Sequence, residues 1–98
     1  MTKFGVKQAI LDQIINVIGN YDVEQVVVYG SRARGDYREG SDIDIAIFAP
    51  ELSKSEFAKL WNELDDLPIV YTLDIVHMET LHNEALKKHI EVDGVALN

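Results

Sequence analysis

The sequence predicts an α/β (α+β) domain, a small mixed β-sheet flanked by helices, with residues 1–98 forming one unit. Three observations carry that prediction. Segments of helical period alternate with short, β-branched segments of strand period. The first two strand segments are separated only by residues 30–41, too few for a full crossover, so a mixed sheet is expected rather than an all-parallel one. Apolar residues make up 47% of the 98 residues, enough for a core without staples, and there is no cysteine to form any.

Each element follows in order. Val6, Ile10, Ile14 and Val17 fall at helical spacing, with Leu11, Ile15 and Ile18 widening the stripe, and Gly19-Asn20 is a stop. That stripe is wider than one small sheet should cover, so part of it is expected at a dimer or partner interface. "EQVVVYG" is short, β-branched and ends in glycine, a buried strand. "SDIDIAIFAP" alternates: Ile43, Ile45 and Ile47 share one face, Asp42, Asp44, Ala46 and Phe48 the other, and Pro50 closes it. "SKSE" at 53–56 has capping-box spacing. The helix behind it places Phe57, Leu60, Trp61 and Leu64 on one stripe, core or partner-facing, before Pro68. "IVYTLDIVH" is a third strand, with Asp74 near its end. A last helix is expected from Glu79 to Val92, with Lys87 and Lys88 near its negative end and Gly94 beyond it. "VALN" is a short strand or a tail.

Nine basic residues face seventeen acidic ones, a net charge of −8. Phosphate contacts need a basic face, so direct nucleic-acid binding is disfavoured. No run is long enough to span a membrane, and Lys7, Gln8, Asp12 and Gln13 break any signal-peptide core. A soluble, cytoplasmic protein is expected.

The chemistry concentrates in "VVVYGSRARGDYREGSDIDIAIF", residues 26–48. Asp42 and Asp44, two apart on a strand, point the same way and repel unless a cation intervenes. Paired hard oxygens are what magnesium takes, usually alongside substrate phosphates. An isolated D-x-D is more often a solvated turn, but this one begins an otherwise apolar strand. Gly30 ends a buried strand, and Ser31 can cap a short helix and offer N–H and hydroxyl groups to an anion. The Gly30–Gly35 spacing lacks the Lys-Ser/Thr of a P-loop, and no G-x-G-x-x-G occurs. Arg32, Arg34 and Arg38 are the chain's only arginines. Guanidinium suits phosphate, and Arg32 and Arg34, just after the turn, are assigned to it; for Arg38 a surface ion pair serves as well. Asp74 is the only charge in its strand, hence either a salt-bridge partner or a third carboxylate meeting Asp42 and Asp44. The set is the equipment of two-metal phosphoryl or nucleotidyl transfer. His77, His82 and His89 lack metal-ligand spacing and are taken as surface or helix residues. Tyr37 is taken as an exposed helix residue.

This pattern resembles the nucleotidyltransferase superfamily of DNA polymerase beta, and more closely its minimal nucleotidyltransferases, the MNT family. The resemblance rests on Gly30-Ser31, a ten-residue spacer, Asp42-Ile43-Asp44 and the later Asp74, and it covers nearly the whole chain. It implies that Gly30 and Ser31 hold the β- and γ-phosphates of ATP. It implies two Mg2+ ions on Asp42 and Asp44, with Asp74 ligating one and helping to activate an acceptor hydroxyl. Only 75–98 follows Asp74, so the acceptor would be met by another chain or by a homodimer. Family members are typically paired with a HEPN-domain partner, some as antitoxins that transfer AMP to the toxin. Two other functions stay open: a non-catalytic antitoxin acting by occlusion, and a small-molecule (antibiotic) nucleotidyltransferase.

Overall fold

A computed structural model describes residues 2–97. The chain opens with a minimal hairpin, β1 (Thr2–Lys3) against β2 (Val6–Lys7). Phe4 and Gly5 turn it with φ of +59° and +70°, the paired left-handed conformation of a two-residue hairpin loop. The first helix, α1 (Gln8–Ile18), therefore starts later than the apolar spacing suggested, and Val6 belongs to a strand.

The remaining order is β3 (Gln25–Tyr29), α2 (Gly30–Arg34), β4 (Ile43–Phe48), α3 (Lys54–Asp65), β5 (Leu73–His77), α4 (Glu84–Asp93) and β6 (Val95–Ala96). The larger sheet runs β5-β4-β3-β6. β4 is antiparallel to β3 and parallel to β5, and β6 pairs antiparallel with β3. It is the mixed sheet that the short 30–41 connection requires.

Strand alternation divides the interior in two. Val26, Ile43, Ile45, Ile47 and Leu73 join Leu11, Ile14 and Ile18 of α1 and Leu60 and Leu64 of α3. Val27, Tyr29 and Ala46 pack with Ile90 of α4 on the opposite face. The α1 stripe is covered: Leu11, Ile14 and Ile18 are buried, and Phe4 of the hairpin, Ile10 and Val17 close around them. Ile10, Ile15 and Val17 stay part-exposed on the outer edge of that stripe.

α3 carries the predicted capping box: Ser53 Oγ accepts from the Glu56 N–H at 3.1 Å and Glu56 Oε1 from the Ser53 N–H at 3.1 Å. Two expectations are corrected. Residues 69–72, read as strand, are irregular, so Asp74 lies at the start of β5 rather than near its end. The helix expected from Glu79 is interrupted: Met78–Thr80 form a single 3-10 turn, and α4 begins only after Asn83, whose side chain accepts from the Leu86 N–H at 3.1 Å. Among the described residues no helix is long and apolar enough to cross a membrane.

Candidate active site

The face of the sheet under α4 carries polar groups where β3, β4 and β5 meet the loops. Tyr29 pairs with Asp44, and Asp44 pairs with Asp74. The three side chains therefore stand abreast on three adjacent strands.

Directly after Tyr29 the chain turns at Gly30, with φ +72°. A Cβ there would collide with Asp44 Oδ2 and stand 3.3 Å from its Cγ. Only glycine lets the backbone pass so near the carboxylate. α2 starts at Gly30 itself, with Tyr29 as N-cap and no side-chain cap. Ser31, expected to cap, is inside the helix. Its carbonyl accepts from Gly35 at 2.9 Å and Asp36 at 3.1 Å, while its hydroxyl makes no hydrogen bond among the described residues.

The electrostatics centre on Asp44. Burial raises its carboxyl above the ordinary carboxylate value, the charges of Asp74 and then Asp42 push the same way, and Arg34 and Arg32 oppose them. Tyr29 responds to the same field. Burial first, then Asp74 and Asp44, push its phenol up to about 12, so at neutral pH it is a protonated hydroxyl in the field of two carboxylates. Sequence reasoning passed over Tyr29; the signal was a tyrosine in the strand position just before the glycine turn.

Asp42 lies one residue outside β4 and is exposed, as is Asp74. Among the described residues no three acidic or histidine side chains stand together as a ready cation cage. The donor set nevertheless suits a hard divalent cation: carboxylate oxygens only, with a half-buried carboxyl, Asp44, whose charge its neighbours disfavour.

The arginines separate. Arg34 is half exposed and pairs with Asp36 at 3.3 Å and with Asp93 of α4 at 3.2 Å. Arg38 is exposed, and its N–H donates to Ser41 Oγ at 2.9 Å. Arg32 is buried and donates to the carbonyls of Ser41 and Phe4, which turns it away from the phosphate contact that its position suggested. Tyr37 lies in the loop after α2, not in a helix, with its ring over Arg32.

His77 is also corrected. It ends β5 on the sheet face opposite Asp74, buried and stacked on Phe57 with ring centroids 4.3 Å apart, its Nε2 3.0 Å from the Ala49 carbonyl. It belongs to the core, because β5 takes it inward as a strand residue. Trp61 points outward from α3 and is 39% exposed. Beside the site, a cavity of about 700 Å³ opens between α2 and α4, lined by Arg34, Ala85, Lys88, His89, Val92 and Asp93.

Carboxylates on neighbouring strands beside a glycine turn and a short uncapped helix define a class of proteins that handle phosphate-bearing groups. Comparison narrows the class. A family model described as "Polymerase beta, Nucleotidyltransferase" matches residues 12–98, and the chain belongs to that family and is a nucleotidyltransferase. Two proteins of Methanocaldococcus jannaschii, each described as "Putative protein adenylyltransferase", are 36% identical to it over 74 residues, 74% of this chain and 74% of theirs. A solved "Structure of putative minimal nucleotidyltransferase" superposes with a TM-score of 0.71 at 24% identity, covering 96% of this chain and 95% of that one. A structure of a tri-AMPylated Shewanella oneidensis HEPN toxin in complex with MNT antitoxin matches with a TM-score of 0.68 at 20% identity, over 93% of this chain and 71% of that one. At these identities the two structures speak for the shared fold.

Proposed function

We propose that this chain is a Mg2+-dependent enzyme that moves AMP from ATP to a hydroxyl on a partner protein. In this reading it acts in the cytoplasm as one minimal domain, the antitoxin of a HEPN-type toxin. One observation carries the catalytic part: Asp44 and Asp74 stand abreast on β4 and β5, against the turn at Gly30. The descriptions of the archaeal relatives and of the toxin–antitoxin neighbour support AMP as the group and a HEPN protein as the acceptor. The acidic balance of the chain suits a protein partner better than a nucleic acid.

Asp42, Asp44 and Asp74 would hold the metal, two ions in number. When bound, Mg2+ neutralises charge developing on the phosphate oxygens and favours the attacking oxygen anion. The chain's own groups do the rest. The N–H groups of the first α2 turn and the free Ser31 hydroxyl would bind the β- and γ-phosphates, with Arg34 beside them. The acceptor oxygen attacks the α-phosphorus, its proton passes to a carboxylate, Asp74, and the bond from the α-phosphorus to the bridging oxygen breaks so that pyrophosphate leaves. Positioning and fixed charge supply most of the rate.

The deciding experiment uses ATP labelled at the α-phosphate, magnesium and the partner captured from cells of origin, with γ-labelled ATP and an Asp42→Asn/Asp44→Asn variant as controls. Label on the partner from the α-position only, lost in the variant, is the expected result. That the three carboxylates form no ready cation cage among the described residues favours one alternative, a binding module that silences its partner by occlusion. That alternative predicts silencing that survives in the variant, with no label in either protein.

A further inference from the structure

Arg32 is the most deeply buried charged side chain among the described residues, 3% exposed. It forms no ion pair among them. A buried guanidinium without a carboxylate is costly unless its donors are met. Here carbonyls meet them. Nε and one terminal nitrogen both donate to the Ser41 carbonyl, at 3.1 and 2.8 Å, and the other terminal nitrogen donates to the Phe4 carbonyl at 2.9 Å. The rings of Tyr37 and Tyr71 lie 4.9 and 5.0 Å from the guanidinium carbon, close enough for cation–π attraction.

Three segments meet at this side chain. Arg32 follows Ser31 in α2. Phe4 belongs to the N-terminal hairpin turn. The Ser41 carbonyl is half of the peptide unit that leads into Asp42. That unit is planar, so two bonds to its oxygen fix the direction in which the chain enters Asp42. The loop is otherwise held at its two ends, by Asp36 N–H to the Ser31 carbonyl at 3.1 Å and by Ile43 N–H to the Thr72 carbonyl at 2.9 Å. Residues 36–40 are exposed, Gly40 has φ +84°, and the local 38–41 turn is closed only on itself, by Ser41 N–H to the Arg38 carbonyl at 3.0 Å and Arg38 N–H to Ser41 Oγ at 2.9 Å. Asp42 has no hydrogen bond among the described residues.

We infer that Arg32 is a positioning residue: it fastens the Ser41–Asp42 peptide to α2, which keeps Asp42 in step with the Gly30–Ser31 turn and with Asp44. The use made of Asp42 rests on the nucleotidyl-transfer reading above; the clamp itself does not. Lysine cannot replace arginine here, because one ammonium nitrogen cannot hold two carbonyls in a plane between two rings.

The test compares wild type with Arg32→Lys and Arg32→Met by two measurements. The first is amide hydrogen exchange of the metal-free protein. The second is ATP binding by calorimetry across a Mg2+ titration. In both variants, exchange within residues 36–42 is expected to rise by about tenfold while β3 and β4 stay protected. The Mg2+ concentration for half-maximal ATP binding is expected to rise by about tenfold, the scale for loss of a group that orients a metal ligand, with ATP affinity at saturating Mg2+ little changed. ATP affinity that drops equally at every Mg2+ level would make Arg32 a direct phosphate ligand and overturn the inference. Full rescue by lysine would overturn it too, as would unaltered loop exchange. Should Arg32→Met fail to fold, Tyr71→Leu removes one ring, with the bond from its hydroxyl to the Gly5 carbonyl at 3.4 Å, and spares the three Arg32 bonds. It is expected to shift both measurements the same way by a few-fold, and no shift sinks the clamp. A wild type that binds no ATP refutes the proposed function, and loop exchange still decides the clamp.

Discussion

Gly30 and Asp44 constrain each other at the scale of single residues. Alanine at position 30 would meet a left-handed backbone and the Asp44 carboxylate at once. Gly30→Ala should cost about 1–2 kcal/mol of stability and on the order of 10²-fold or more in label transfer, measured by denaturant titration and by the α-label assay. A stable, active variant would mean that the close approach is dispensable. Asp44 makes a pH prediction. Its folded pKa is raised, so the folded state binds more protons than the unfolded state between the unfolded value near 3.9 and the raised one. The stability it contributes is complete below that lower value and is lost as pH rises through the folded pKa. At neutral pH without metal the ionised carboxylate is a burden. Asp44→Asn should therefore melt a few degrees higher than wild type at pH 7, while losing label transfer and the stabilisation that Mg2+ gives wild type. An Asn variant that melts lower would place the Asp44 charge in a stabilising contact instead. The acidic residues and Gly30 were legible because their types are rare in apolar strands and turns. Arg32 was not, since a guanidinium's role depends on which acceptors the fold brings to it, and those lie 9 and 28 residues away.

At the scale of elements, α3 is begun by a side chain that the sequence displays openly. Ser53→Ala removes a two-way capping box and should destabilise by about 1 kcal/mol. Because α3 packs on the face opposite Asp44 and Asp74, transfer per folded molecule should be retained. A loss of specific activity in a well-folded Ser53→Ala protein would show coupling through the sheet that the packing does not suggest. Periodicity located every major helix and strand, but it missed three boundaries, the start of β5 among them because residues 69–72 carry strand-like side chains without strand pairing. The N-terminal hairpin was hidden because Val6 fits the helical stripe and its turn uses a Phe in a left-handed conformation, which no propensity favours. The break at 78–83 was hidden because Glu79 and the apolar Met78 and Leu81 look helical. In the structure Glu79 Oε1 instead accepts from the Ala49 N–H at 2.8 Å, a long-range bond that ties the segment down as a turn.

Over the whole molecule, a chain with seventeen acidic and nine basic residues should meet the proposed protein partner, if its docking face is basic, faster at low salt. Association should slow by about tenfold between roughly 0.1 and 1 M salt, as the screening length falls from about 10 to 3 Å. Binding kinetics with the captured partner test this, and a rate indifferent to salt would mean contact through apolar surface. Sheet order was only half legible: the mixed character followed from the short 30–41 connection, whereas pairing of β6 with β3 needed the fold to bring the end of α4 back across the sheet. The register of β4 against β5 has one more consequence. Asp44 faces Asp74 across a parallel pair whose link, residues 49–72, contains a whole helix. The loops on either side of that helix can lengthen or shorten by odd or even counts without changing which face Asp74 takes. A single residue added inside β5 before Asp74 would invert its parity and send the carboxylate to the α1–α3 side. What must be inherited is thus an even-or-odd relation within two five- to six-residue stretches, and the distance between them along the chain is free to drift.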